Sequence, residues 1–194
     1  MSKHNKGERL NPEVLTHREL SQFLESFKPL YGGVRDRAIF ATLAFSGLRC
    51  NEALSLRVCD VNLEKGTATV IQGKGGKRRT VGIGAPAVKF LTAWLNIRPA
   101  GGNYFFCTRR GKKIDTAYMR KIAIQQGKRA GIAHRVHTHC FRHTAACMMA
   151  DAGLDLRHIQ IQLGHNNIST TDTYLRHINP ARTLDAIRSM DWGA

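Results

Sequence analysis

Ser46-Gly47-Leu48-Arg49-Cys50-Asn51-Glu52 is the stretch on which the reading of this chain turns. Roughly Arg35–Phe45 before it reads as a helix, and Gly47 stands where a helix ends in a left-handed turn. Arg49 follows at once, and Asn51–Leu56 can start another helix, so a guanidinium is planted at a joint between two helices. Glu52, three residues on, can orient that guanidinium or can form a surface ion pair of small value.

Toward the amino terminus, Thr16-His17-Arg18-Glu19 is a capping box that predicts a helix to about Phe27, with Gly32-Gly33 breaking the chain after it. On the other side the period changes. Thr67–Ile71 and Arg79–Ile83 are strand-like and flank Gly73-Lys74-Gly75-Gly76-Lys77, a hairpin with a basic, glycine-rich tip. Pro86 opens a helix to about Arg98, Tyr104-Phe105-Phe106 is a short apolar run, and Asp115 caps a helix through about Arg129. Further helices are expected over about 139–152, 155–163, 169–177 and 181–190, with Asp155 and Ser169 as N-caps and Gly153, Gly164 and Pro180 as punctuation. The expected fold class is mainly α with a small antiparallel β-sheet (α+β). No internal repeat or linker divides it, so residues 14–194 are read as one domain behind a flexible basic lead-in, residues 1–13.

The 194 residues carry 30 Lys+Arg against 14 Asp+Glu, a formal net charge of +16. Such an excess favours a polyanionic partner, because neutralising phosphates releases condensed counterions. It does not specify chemistry. No secretory h-region follows the polar start, and no apolar stretch approaches membrane-spanning length, so a cytoplasmic protein with no membrane partner is expected. The five cysteines form no Cys-x-x-Cys and read as reduced, small apolar residues.

Candidate chemistry concentrates in the second half. Helical spacing puts His139, Arg142 and His143 on one face and Phe141, Ala145, Met148 and Ala152 on the other, so a polar stripe is expected to point away from the packing side. His137, His139, His143 and Cys147 raise zinc as an alternative, since the last three repeat at i, i+4, i+8. An arginine within that cluster would repel a cation, and no carboxylate or second cysteine pair completes a usual ligand set, so no metal is expected. Lys74, at the hairpin tip, is either a turn lysine or a basic finger. Tyr174 is either a half-buried helix aromatic or a nucleophile, and as a nucleophile it needs a base or cationic donors because a phenol's ordinary pKa is about 10.

Five motifs in order give the chain a resemblance to the catalytic domain of the tyrosine recombinase (phage integrase) family, over roughly residues 10–190. Gly47-Leu48-Arg49-x-x-Glu52 is similar to the family's first-arginine box, and Gly73-Lys74-Gly75 to its hairpin-lysine motif. His139-x-x-Arg142-His143, Leu163-Gly164-His165 and Thr170-Thr171-x-x-Tyr174 resemble the boxes that follow. Phe141 stands where leucine is usual, and His177 lies one place later than the common Tyr-x-His.

The resemblance implies a tyrosine recombinase catalytic-domain fold and a site-specific DNA recombinase or integrase, of the DNA-inversion type among others. Tyr174 would attack a phosphodiester to give a 3′-phosphotyrosyl link, with Arg49, Arg142 and His165 donating to nonbridging oxygens. Lys74 would protonate the leaving 5′-oxygen and His139 would act as acid or base, with Glu52 and His143 supporting them; no cofactor is called for. Residues 1–30 are too short for the separate N-terminal core-binding domain of most members, so none is expected.

Double-stranded DNA is the expected partner, contacted by Lys77, Arg78, Arg79, Arg109, Arg110, Lys112 and Lys113. The resemblance further implies a homo-tetramer on two recombination sites, with an accessory DNA-bending or clamp protein as a candidate helper. Leu184, Ile187 and Met190 recur at helical spacing in the tail, which can pack in cis or on a neighbouring subunit. Rival readings are a type IB topoisomerase-like enzyme, a non-catalytic DNA-binding relative and a metal-dependent nuclease using the histidines.

Overall fold

Thr16 and Glu19 cap each other: the Glu19 N–H donates to Thr16 Oγ1 at 3.2 Å, and the Thr16 N–H donates to Glu19 Oε2 at 2.9 Å. That box starts the first helix of the computed structural model, which describes residues 14–72, 77–164 and 188. Among the described residues the order is α1 (His17–Glu25), α2 (Tyr31–Ser46), α3 (Cys50–Ser55), β1 (Val61–Asn62), β2 (Thr67–Gln72), β3 (Lys77–Gly82), α4 (Ala85–Ile97), α5 (Thr116–Arg129), α6 (Thr138–Asp151) and α7 (Leu156–Leu163). Asp115 and Asp155 cap α5 and α7 by accepting from Ala117 N at 2.9 Å and His158 N at 3.0 Å. Pro86 lies in the first turn of α4, where its missing N–H costs nothing. The helix expected over 169–177 and the tail residues Leu184, Ile187 and Met190 lie outside the described residues, as does the helix expected over 181–190 apart from Arg188, which is helical and exposed.

The break expected at Gly32-Gly33 does not occur. Both glycines lie in the first turn of α2, which therefore begins earlier than Arg35. A Cβ at Gly33 would fall 2.0 Å from the Lys28 carbonyl oxygen, so the glycine answers a close return of the preceding loop and not a helix end.

α2 is the central element, with Ala38 through Ala44 all buried and α1, α4 and α6 packed on it. Phe23 of α1, Phe40 of α2 and Phe141 of α6 meet with ring centroids 4.8–5.0 Å apart. Trp94 closes the other side and donates from Nε1 to the Phe105 carbonyl at 2.8 Å, which fixes the Tyr104–Phe106 run under α4. The sheet runs β1-β2-β3 with antiparallel pairs, and the register sets Ala68 opposite Val81 and Val70 opposite Arg79. Ala68, Val70 and Val81 are buried, so one face of the ribbon lies on the core.

α6 bears out the expected polar stripe at His139, which is exposed, and corrects it at Arg142. Arg142 is only 4% exposed and Thr144 is buried, because α2, α5 and α7 cover α6 on several sides. Ala152, expected in the core, lies past the helix end and is exposed. The cysteines are free; Cys107 and Cys140 fill the core as expected, whereas Cys59 is exposed. No helix among the described residues is long and apolar enough to cross a membrane.

Truncating the aromatic junction tests this packing. Phe141→Ala should cost about 3–5 kcal/mol, read as a drop in denaturant midpoint at constant slope. An effect under about 1 kcal/mol would mean that α1, α2 and α6 do not share one core.

Candidate functional site

Helices α2 and α7 both stop at a left-handed glycine, Gly47 at φ 70° and Gly164 at φ 68°. A helix end leaves carbonyl oxygens without intrahelical partners and carries partial negative charge. Here those carbonyls collect cations. Arg142, from α6, donates from Nη1 to Gly47 O at 2.6 Å and from Nη2 to Leu163 O at 2.9 Å, which ties the two ends together. Arg79, from β3, also reaches Leu163 O, at 3.3 Å, and the Arg49 guanidinium lies 3.5 Å from Gly164 O.

Both glycines are needed for this approach. A Cβ on Gly47 would sit 2.4 Å from Leu163 Cδ2, and one on Gly164 would sit 2.6 Å from Arg79 Cζ. Gln162 completes the joint. Its Nε2 donates to Ser46 O at 2.8 Å and to Gly82 O at 2.7 Å, while its Oε1 accepts from Gly82 N at 2.9 Å.

Glu52 is the anionic counterpart. It accepts from the Arg49 backbone N–H at 2.9 Å and from Arg49 Nη1 at 3.2 Å, and it takes a two-point contact from Arg79, 3.0 Å on each side. Of the two functions left open for Glu52, orienting Arg49 fits the geometry, since its side chain is only 13% exposed. Burial alone would raise its carboxyl pKa, but the hydrogen bonds and charges of Arg79 and Arg49 outweigh burial and hold it below the ordinary value.

Arg79 needs a correction. Expected among the DNA contacts, it turns inward, with its side chain 14% exposed and committed to Glu52 and Leu163. Strand alternation contained the signal, because Arg79 shares a face with buried Val81 while Arg78 points to solvent.

Arg49, 42% exposed, opens onto a cleft of about 530 Å³ lined by Arg49, Cys50 and Asn51 of α3 and its cap, Thr116 and Arg120 of α5, and His137, Thr138 and His139 of α6 and its cap. Among the described residues no carboxylate lines it. His137, His139 and His143 form a row with ring centroids 6.5 and 6.4 Å apart. Partial desolvation, then the neighbouring His137, Arg142, Arg49 and Arg120, hold the His139 pKa below the usual histidine value. His143 sits deeper, and burial followed by the same histidines and Arg142 brings it down to about 4. Both rings are therefore neutral near pH 7. Burial pushes the Cys50 thiol up to about 11, so it is a protonated wall of the cleft. Among the described residues, no group of three or more His, Cys, Asp or Glu is arranged to hold a metal ion.

The basic loop divides in two. Arg109 stacks its guanidinium over the Tyr31 ring at 4.7 Å, and Lys113 donates to Ser55 Oγ at 2.7 Å and Asn51 Oδ1 at 3.2 Å. These two tie the loop to α2 and α3, while Arg110 and Lys112 are exposed at its turn. Lys74, His165, Tyr174 and the Lys77 side chain lie outside the described residues. The sequence reading missed Arg79 as a strut and Gln162 as a joint, whereas Arg120, part of the basic segment 109–135 expected to meet phosphates, and His137, part of the histidine cluster, turn out to wall one cleft.

This architecture is that of a tyrosine recombinase catalytic domain. The crystal structure of XerA recombinase matches it with a TM-score of 0.81 at 30% identity, over 95% of this chain and 68% of that one. A XerH site-specific recombinase bound to palindromic difH substrate, a post-cleavage complex, matches with a TM-score of 0.78 at 30% identity, over 95% and 55%. The model of the phage integrase family matches residues 13–180, and the chain belongs to that family. Tyrosine recombinase XerA of Pyrococcus furiosus is 37% identical over 168 residues, covering 85% of this chain and 57% of the relative. Tyrosine recombinase XerC of Xanthomonas campestris pv. campestris is 37% identical over 172 residues, covering 87% and 52%. The chain spans about half the length of these curated relatives.

Acid titration should separate the two buried ionisable groups. Folded His143 resists protonation, so its contribution to stability is complete above the unfolded value of about pH 6.5 and is lost as pH falls toward about 4. Folded Glu52 resists losing its charge, so its contribution is complete above the unfolded value of about pH 4.5 and is lost only below it. Denaturant midpoints should therefore fall in two stages. His143→Gln should flatten the upper stage, on the order of 2 kcal/mol after discounting for partial exposure. Glu52→Gln should remove the lower one and cost roughly 2 kcal/mol at neutral pH.

Proposed function

We propose that this chain contains the catalytic domain, within residues 14–194, of a cytoplasmic site-specific DNA recombinase that cuts and rejoins DNA through a 3′-phosphotyrosyl intermediate, without metal or cofactor. The observation that supports it most is the meeting of Arg49 and Arg142 at the carbonyl end of α7, immediately before His165 in the chain and beside the cleft that holds His139.

In this reading Tyr174 attacks the scissile phosphorus and the 5′-oxygen leaves with a proton from Lys74. Arg49 donates to a nonbridging oxygen from its exposed guanidinium. Arg142 does so from a guanidinium whose orientation Gly47 and Leu163 fix, and His165 joins them. Such donors, held before charge develops, supply what metal ions supply elsewhere. His139, neutral at pH 7, is in the form that can take the phenol proton. Glu52 holds Arg49 in place, and His143 backs His139. The phosphotyrosyl link conserves the bond energy of the phosphodiester, so a 5′-hydroxyl of a partner strand reseals it.

Duplex DNA is the substrate, gripped through Arg78, Arg110 and Lys112, with Lys77 as a further contact. Assembly is as a homo-tetramer on two sites, with DNA inversion one outcome and an accessory DNA-bending or clamp protein aiding affinity. The DNA-bound XerH complex supports the substrate class.

Incubation with nicked or supercoiled DNA in EDTA should give a denaturant-resistant, protease-sensitive adduct from wild type and none from Tyr174→Phe. Arg142→Lys should lower the adduct rate on the order of a hundredfold, since lysine cannot bridge two carbonyls and present a planar edge. Activity that needs a divalent cation, or persists in Tyr174→Phe, contradicts the proposal. Relaxation without two-site exchange assigns the topoisomerase-like reading.

The pH profile of single-turnover adduct formation should fall on its acid side below the ordinary histidine value of about 6.5. His139→Gln should remove that limb. A limb at or above 6.5 contradicts the role of His139.

A further inference from the structure

The motif residues account for only one wall of the cleft; the other wall comes from α5 and the cap of α6. Arg120 projects from the second turn of α5 into the same space as Arg49, and it is exposed. Among the described residues no hydrogen bond or ion pair engages its guanidinium, unlike Arg79 and Arg49, which Glu52 holds. Its charge is nonetheless close enough to be felt by Cys50 on one side and His139 on the other. His137, at the cap of α6, lines the same cleft. A cleft of about 530 Å³ falls in the size range that houses whole drug-sized ligands, far more than one phosphate group. Its described lining offers two arginines, two histidines, two threonines and an asparagine, with no acid among the described residues, a set suited to a strand bearing several phosphates.

Resting on the recombinase reading above, we infer that Arg120 and His137 form a second phosphate seat, which holds a phosphate flanking the scissile one on the same strand. Arg49 and Arg142 would then act on the reacting group while Arg120 fixes the register of the strand that presents it. Arg120 is a positioning residue in this scheme. It makes the cleft a two-phosphate slot, so an isolated anion would bind poorly where a strand binds well.

The test uses the full chain as Tyr174→Phe, so that binding is read without cleavage, with a fluorescently labelled random-sequence duplex as probe. Loss of one phosphate contact reduces the slope of log Kd against log salt by about 0.9. Arg120→Gln should show that reduction together with roughly tenfold weaker binding at low salt, and Arg120→Lys should restore both. Arg18→Gln, a charge loss on α1 outside the cleft, should leave the slope as it was. In chains retaining Tyr174, Arg120→Gln should reduce adduct formation by a larger factor at limiting than at saturating DNA. An unchanged slope in Arg120→Gln overturns the seat, as does an equal slope change in Arg18→Gln. If wild type forms no adduct with any DNA, the recombinase reading fails, and the salt slopes still decide whether Arg120 meets a phosphate.

Discussion

The carbonyl oxygens at the end of α7 are the constraint on which the rest of this site depends. Leu163 O accepts from Arg142 and Arg79, and Gly164 O has the Arg49 guanidinium beside it. Guanidinium groups repel one another, so three of them gather only where fixed negative charge is concentrated. A helix C-terminus and the Glu52 carboxylate supply it. Arg142 extends the arrangement to Gly47 O, so one buried side chain sets the distance between the end of α2 and the end of α7. Arg49 stands two residues beyond Gly47, and in the chain His165 follows Gly164.

The electrostatic consequence reaches the histidines. Desolvation comes first at both rings; with it, His137, Arg142, Arg49 and Arg120 hold the His139 pKa below the usual value, and His139, His137 and Arg142 do the same at His143. Fixed positive charge is thus supplied by arginines, which do not titrate in this range, and proton exchange is left to imidazoles poised below their usual value. The division is the one the proposed phosphoryl transfer would use at neutral pH. The buried pairs also put stability at stake: removing Glu52 would leave Arg79 facing only a carbonyl.

Much of the frame was legible because local chemistry decides it. The Thr16–Glu19 box, Asp115, Asp155 and Pro86 mark helix starts that the backbone obeys, and Gly47 and Gly164 mark ends. Gly32-Gly33 misled because the reason for a glycine there is Lys28 O, a contact that no periodicity reveals. The α6 stripe misled because amphipathicity says which face is apolar, and a polar face can still be buried if helix ends are there to receive it. The motifs named Arg49, Glu52, His139 and Arg142. They did not name Arg79 or Gln162, whose partners lie 27 and 116 residues away in sequence across a turn of chain that only tertiary packing closes.

The central claim is that Arg142 holds the ends of α2 and α7 together, and native-state amide hydrogen exchange on Arg142→Gln tests it most directly. The account predicts lost protection at both separated segments, residues 46–53 and 156–164, with α4 and α5 keeping theirs. Protection unchanged at either segment, or a loss confined to α6, would contradict it.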